Sequence, residues 1–412
     1  MNLGPTLVLL LGLGTAQLPP PTESPAPLAA LSPPAPAAGT PRPGDAPRRG
    51  RRSPRRGRPS CSAADYLHWW SKTLSTPPLI TTSNAADAGV IGAPSTQVLA
   101  GGNGVELDGL QGFRIQGRYW CSELWGIDAG GFYLANGGRY NTYTRQTLAI
   151  PFVNPATGAQ TSLVLANIPN GPYGYAAIQA MSALWSVEAH GVLRVADDPE
   201  QPFELLLGGR YVTLGEDLRL WTYTQTGAPS SSGGSLPGVP TTSSSGTAFS
   251  GLDQFETRNH FIGGQAGARY RYRWGRCSVE TAFTVAAGVT RQELNVNGNT
   301  ILNGTARSYL GDVFTQTSNL GRFTRDTFTV LPQARVAVGF QVFELVRVFV
   351  GGDVLYWSGV VRPADQIDTL VYPSAVPAAT NLNPVPGGQP LPRYGSSDYW
   401  AVGLSLGAEI AF

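Results

Sequence analysis

The chain closes on YWAVGLSLGAEIAF, residues 399 to 412, in which Val402, Leu404, Leu406, Ala408, Ile410 and Phe412 alternate with Gly403, Ser405, Gly407, Glu409 and Ala411. Successive side chains of an extended chain point to opposite faces, so this period of two predicts a strand with one apolar face. The pattern recurs upstream at Val279, Thr281, Phe283, Val285, Ala287 and Val289, at Val336, Val338, Phe340 and Val342, and at Val346, Val348 and Val350. The opposite faces offer Arg118, Asp128, Glu188, Arg210, Arg269, Arg271, Glu280, Arg335, Asp353 and Glu409. A soluble β-sandwich would scatter such charges over a solvated surface and would have no need of both signs. Apolar outside and charged inside is the inverted pattern of a barrel that crosses a membrane with strands.

Spacing supports closure. Strand-like runs occupy residues 64–71, 113–121, 125–135, 177–195, 203–224, 253–274, 276–296, 326–343, 346–359 and 399–412. The gaps between them alternate strictly, long after the first, third, fifth, seventh and ninth runs, short at 122–124, 196–202, 275 and 344–345. Long loops at one end and tight turns at the other, with an even strand count, predict an all-β, antiparallel transmembrane barrel of the outer membrane, of about ten strands and no more than twelve. The count puts both chain ends in the periplasm. It also requires LGED (214–217) to be a bulge within one strand, because a hairpin there would make the number odd.

Aromatic residues gather near strand ends: Trp69, Trp70, Trp120, Trp125, Tyr270, Tyr272, Trp274, Tyr356, Trp357, Tyr399 and Trp400. Girdles at the two lipid interfaces account for them. In the final strand Tyr399, Trp400 and the terminal Phe412 form an expected assembly signal, with outer-membrane lipid and the barrel-assembly machinery as partners.

The first part of the chain differs. Residues 1–17, MNLGPTLVLLLGLGTAQ, have an apolar stretch followed by small residues, as in a secretory signal peptide, though without a basic start. Residues 18–60 hold thirteen prolines and end in PRRGRRSPRRGRPS, a composition that cannot bury enough surface to fold. They are expected to form a disordered Pro/Arg-rich periplasmic arm, whose eight arginines from Arg42 to Arg58 suit an anionic cell-wall polymer. The barrel then takes residues 61–412. The net charge of +2 argues neither for nor against a polyanionic partner, and no nucleic-acid partner is expected.

The order of segments over residues 64–412 resembles the putative beta-barrel porin-7 family of outer-membrane proteins. The resemblance runs from DYLHWWSKTLSTPPLITTS through RIQGRYW, WGIDAGGFYL, PFVNPATG and LLLGGRYVTLGEDL, and on to DQFETRNHFIGGQAGARYRYRWG, VGGDVLYWSGVVRPADQID and the terminal strand. It implies location and architecture. The arginine-rich arm lies outside it.

Chemistry has few candidates. The only histidines are His68, His190 and His260; Ser186, Glu188 and His190 share one face of a strand, which makes a lipid hydrolase a conceivable reading, but no nucleophile-elbow motif accompanies them. No metal set and no cofactor motif is visible, and Cys61, Cys121 and Cys277 are too few for a disulfide framework. Ten strands lie near the filled end of barrel sizes. Ten charges of both signs can pair, so the expected role is structural or that of a narrow, porin-like channel in envelope permeability, without catalysis; a secreted β-sandwich binding module is the rival of another class.

Overall fold

The computed structural model describes residues 60–412 apart from 137, 169–170, 197–200, 227–246, 304, 381–382 and 386. The expected signal peptide and arm therefore lie outside the described residues. Ten strands form the frame: β1 (Cys61–Ser71), β2 (Leu110–Trp120), β3 (Trp125–Ala135), β4 (Tyr173–Ala196), β5 (Phe203–Gln225), β6 (Ala248–Trp274), β7 (Cys277–Leu302), β8 (Gly321–Phe343), β9 (Val346–Val360) and β10 (Ser397–Ala411). Each pairs antiparallel with the next, and β10 returns to β1 in register from Cys61↔Ala411 to Ser71↔Ala401. The sheet is thus a closed ring, and the sandwich alternative falls. Two short strands extend it, Arg139–Tyr143 on β4 and Ser308–Leu310 on β7.

The ring is lopsided in height. Strands β4 to β8 run for 23 to 27 residues, the others for 11 to 15. About ten residues suffice to cross a bilayer, so the tall strands project well beyond the membrane at the long-loop end. There a second, four-stranded sheet, ordered Gln97–Ala100, Ile80–Thr82, Thr147–Val153 and Gln160–Asn167, packs with the long loops into a folded head.

Alternation decides what each face meets. On β8 Phe328, Val336, Val338, Phe340 and Val342 point outward and are exposed, while Leu331 and Ala337 between them are buried. The same holds for Tyr66 and Trp70 on β1, Phe113, Ile115 and Tyr119 on β2, and Val402, Leu404, Leu406 and Ile410 on β10. These residues form the lipid belt. Its edge toward the head lies where Ile262, Val289 and Phe328 give way to His260, Arg291 and Asp326 on the next outward row.

Two sequence expectations need correction. LGED is no bulge: β5 keeps an unbroken ladder to both β4 and β6 through residues 214–217. Leu214 and Glu216 turn inward and Asp217 outward, so the segment simply continues the period of two. Among the girdle aromatics, Trp69, Trp357 and Tyr399 are fully buried inside the ring. Their parity decides it, since Trp69 shares its face with Asp65, Trp357 with Asp353, and Tyr399 with Glu409.

The belt generates a paired test on one strand. Val338→Arg should cost about 2 to 4 kcal/mol in a refolding titration into lipid vesicles. Thr324→Arg, equally outward but beyond the belt, should stay within about 0.5 kcal/mol of the parent.

Candidate functional site

Viewed from the short-turn end, the interior is layered. The first layer is ionic. Asp128 on β3 accepts from Arg118 on β2 at 3.3 Å and from Arg269 on β6 at 2.6 Å. Glu204 on β5 gathers Arg118, Arg194 and Arg269 at 3.6, 3.4 and 3.4 Å. Across the ring, Arg271 pairs with Glu280 and reaches Glu409 at 3.0 Å, and Arg347 meets the same Glu409 at 3.0 Å. Deeper in, Arg114 lies 2.9 Å from Asp353 and 3.7 Å from Asp65, and Arg335 lies 3.4 Å from Asp65. Arg210 donates through Nε to Ser186 Oγ at 3.0 Å and stands 3.7 Å from Glu188.

All ten charges expected on the inner faces therefore sit inside the ring, each in an ion pair. Strands on opposite sides are tied together this way, because a guanidinium spans the lumen that no small side chain could. The cavity left among them is about 80 Å³, room for a handful of waters. Asp65, Arg114, Arg194, Glu204 and Arg347 belong to the same network and were missed in the sequence. Parity could have found some of them: Asp65 stands opposite Arg114 and Arg347 opposite the inward-facing Glu409 on neighbouring strands, and Arg114 is four residues from Arg118 on one strand.

The second layer is apolar, and every one of the ten strands contributes to it. Leu67 and Trp69 come from β1, Leu110 from β2, Phe132 and Leu134 from β3, Leu184 from β4, and Val212 and Leu214 from β5. Phe261, Ala286 and Leu331 follow from β6, β7 and β8, then Leu355, Trp357 and Val360 from β9, and Tyr399 and Ala401 from β10. Trp69 packs on Phe132 with centroids 5.3 Å apart, and Phe261 meets Trp357 edge-on at 6.1 Å. The Trp357 indole N–H donates to Thr290 Oγ1 at 3.2 Å, so its polar atom is satisfied although the ring is buried. No sequence pattern announced this layer, because each strand contributes only one to three of its residues.

Above it the head is bolted to the ring. Arg362, at the start of the loop after β9, holds Glu216 through Nη2 at 2.6 Å and Nε at 2.9 Å, and donates to the carbonyls of Thr73 and Lys72. Asn259 closes a reciprocal pair with the backbone of Val361, at 2.8 Å in each direction.

The Ser186, Glu188 and His190 set does not assemble as a hydrolase. Ser186 and His190 lie four residues apart on one strand, about 13 Å along it, and Ser186 Oγ is taken by Arg210. His260 faces outward beside Tyr211 and Thr213, whose hydroxyls lie 3.0 and 3.2 Å from its Nδ1. The terminal strand splits its expected assembly signal, with Trp400 and Phe412 exposed on the outside and Tyr399 inside.

The family model described as putative beta barrel porin-7 matches residues 62–412. The chain belongs to that family. It is a β-barrel of the outer membrane. No curated protein matches it. Among solved structures, the outer membrane protease OmpT from Escherichia coli is 11% identical with a TM-score of 0.38, covering 86% of this chain and 97% of that one. A deletion mutant of the TodX monoaromatic hydrocarbon channel is 7% identical with a TM-score of 0.27, covering 86% and 91%. A Pseudomonas aeruginosa FadL homologue is 8% identical with a TM-score of 0.21, covering 86% and 90%. No residue role is carried over from any of them.

Two features of this porin-7 family barrel yield expectations. Arg114 is buried and touches Asp353 closely but without an aligned hydrogen bond. Its removal strands a buried carboxylate, so Arg114→Ala should cost about 3 to 5 kcal/mol. Adding Asp353→Asn should recover part of that in the same refolding titration.

The second feature lies in the head, beyond the belt. The loop of residues 311–320 enters the mouth of the ring, where Asp253 accepts from the backbone N–H groups of Phe314 and Thr315 at 3.1 and 2.8 Å. Nearby Asp312 accepts from the hydroxyls of Thr222 and Thr300 at 2.8 and 3.0 Å. Burial, and then the neighbouring Asp253 carboxylate, push the Asp312 carboxyl up to about 8; burial also pushes Asp253 up to about 6. A carboxyl whose folded pKa is raised contributes most below its unfolded value near 4, and loses that contribution as pH rises through the folded value. Raising pH from 5 to 9 should therefore loosen residues 311–320, seen as faster hydrogen exchange there. Asp312→Asn should flatten the pH dependence.

Proposed function

We propose that this protein is a sealed outer-membrane barrel with a structural, permeability-limiting role, which holds a folded head at the cell surface and performs no catalysis. The apolar layer carries the reading. A narrow channel could thread an ionic layer by exchanging partners and water, but a buried, mostly apolar layer contributed by all ten strands offers an ion little to replace its hydration. The short-turn end then faces the periplasm together with the arm, whose Arg42–Arg58 segment contacts an anionic wall polymer, and the outward Trp400 and Phe412 serve assembly and lipid contact. The engagement of Ser186 Oγ by Arg210 is consistent with the non-catalytic half of the proposal.

Planar-bilayer recording tests it. The unmodified protein should give rare or no conductance steps, and removing the loop of residues 363–395 should leave it silent, because the apolar layer remains. Adding Phe261→Ala and Trp357→Ala to that deletion should produce steps. Large, stable steps from the unmodified protein would refute the seal and leave the narrow-channel reading in its place.

A further inference from the structure

Beyond the lipid belt the head packs on the inner faces of the tall strands, and the outer faces of β4 to β7 are left as a wall in water. The aromatics that a lipid interface calls for are already supplied on this wall at the edge of the belt, by Trp185 and Tyr211 with centroids 5.2 Å apart. Trp221 and Tyr140 share the same outer face but stand about 25 to 35 Å further along the strands, where no hydrocarbon reaches. Their rings lie 5.5 Å apart, and Tyr140 is 54% exposed. Tyr175 and Tyr223 stack beside them at 5.2 Å. Lipid contact does not account for these four rings.

Planar polar groups surround them. One ladder row across five strands sets Tyr140, Gln179, Arg219, Gln254 and Asn297 side by side on this face. Asp217 accepts from Nε and Nη2 of Arg219 at 3.2 and 2.8 Å and from Nε2 of Gln254 at 2.9 Å, so these planes are held before anything binds. Nearer the membrane Glu256, Arg258, Glu293, Asn295 and Arg322 enclose a hollow of about 230 Å³.

Charge does not choose the ligand. Arg219 pairs with Asp217, Arg258 with Glu256 and Arg322 with Glu293, so a polyanion finds no surplus of cations among these groups. Shape and hydrogen bonding do choose. The face of an aromatic ring packs against the C–H side of a pyranose, while amide, carboxylate and guanidinium planes each present two atoms spaced for a pair of neighbouring hydroxyls. The wall is continuous with the lipid belt on the same strands, and the part of an outer-leaflet glycolipid that stands at this height is its sugar chain. We propose that the outer wall of β4 to β7 is an oligosaccharide-binding face with Tyr140 and Trp221 as its platform, and that its ligand is the sugar chain of the glycolipids around the barrel. The source of the sugar rests on the orientation proposed above; the binding chemistry does not.

The test is calorimetric titration of the full-length protein in detergent with the lipid-free polysaccharide released by mild acid from the outer-membrane glycolipid of the cells that make it, against dextran as an unrelated glucan. Saturable binding is expected, at least tenfold tighter than for dextran and little changed by added sodium chloride. Trp221→Ala and Tyr140→Ala should each weaken it at least tenfold with the melting temperature unchanged, and Trp221→Phe should restore part of it, because a ring face remains. Trp185→Ala, at the belt edge of the same wall, should leave it intact. Replacing residues 229–244 by a short Gly-Ser linker should also leave it intact, since the platform is built on strands. No saturable binding, binding indifferent to both Trp221→Ala and Tyr140→Ala, dextran bound equally well, or binding lost with the loop would each overturn the proposal. Labelling of an Asn297→Cys variant from outside intact cells reads the orientation on its own, and protection there would overturn the glycolipid source. Conductance, which tests the seal, is untouched by any of these variants.

Discussion

Closure of the sheet is the constraint on which everything else rests. In hydrocarbon every backbone N–H and C=O must find a partner within the protein, and a single open edge would leave a row of them bare. The seam between β10 and β1 removes that edge with eleven registered pairs, and the Phe412 N–H continues it to the Ser60 carbonyl at 2.9 Å. The first and last strands of the barrel must therefore be complete before any part of it is stable in a bilayer.

Once ten strands are closed, the interior is too narrow for bulk water and too wide for small side chains to fill. The chain meets this in two ways. Where arginines and carboxylates face each other, long side chains bridge the lumen, but buried ion pairs are poor net contributors because desolvation offsets most of their attraction. They set register and shape. The apolar layer contributes free energy outright, about 1.5 to 3 kcal/mol for each large side chain taken from water. Tightness thus comes from Trp69, Phe261, Trp357 and their neighbours, and specificity from the charges beside them.

Much of the frame was legible because lipid on one side forces strict alternation, and the alternating run of β8 or β10 admits one assignment of faces. The belt, the strand number and the inward turn of all ten charges follow from it. Legibility ended where position along a strand competed with parity. Trp357 lies near a strand end, which suggested an interface, yet it is two turns of the alternation from Asp353 and so faces inward. LGED looked like an interruption because Gly and Asp are poor strand formers, but Leu214 is fully buried and Glu216 is clasped by Arg362, and these contacts outweigh propensity. The head sheet was beyond reach of any local signal. It joins Thr81 to Ala149 across a long stretch that itself contains β2 and β3.

The unequal strand heights make sense of the head. Beyond the belt, the inner faces of β4 to β7 carry Ile178, Leu218, Leu220, Phe255, Leu294 and Val296, which have no lumen to fill and would face water. They are covered by Ile80, Leu148, Ile150 and Leu165 of the four-stranded sheet and by Val313, Phe314, Ile367 and Val371 of the loops. The head core and the apolar layer of the lumen are separate clusters, divided by a polar level where Glu216, Thr257, Asn259, Thr290 and Gln292 are all buried. A polar level between two apolar ones costs desolvation unless each group is paired. Arg362 on Glu216 and Asn259 on the Val361 backbone pair two of these groups and tie the loop after β9 to β5 and β6, while Gln292 on the Gly359 carbonyl ties the end of β9 to β7. An apolar contact could slide; these bonds cannot without stranding a buried donor or acceptor. The head is therefore held in one register over the ring by the very groups that cost most to bury.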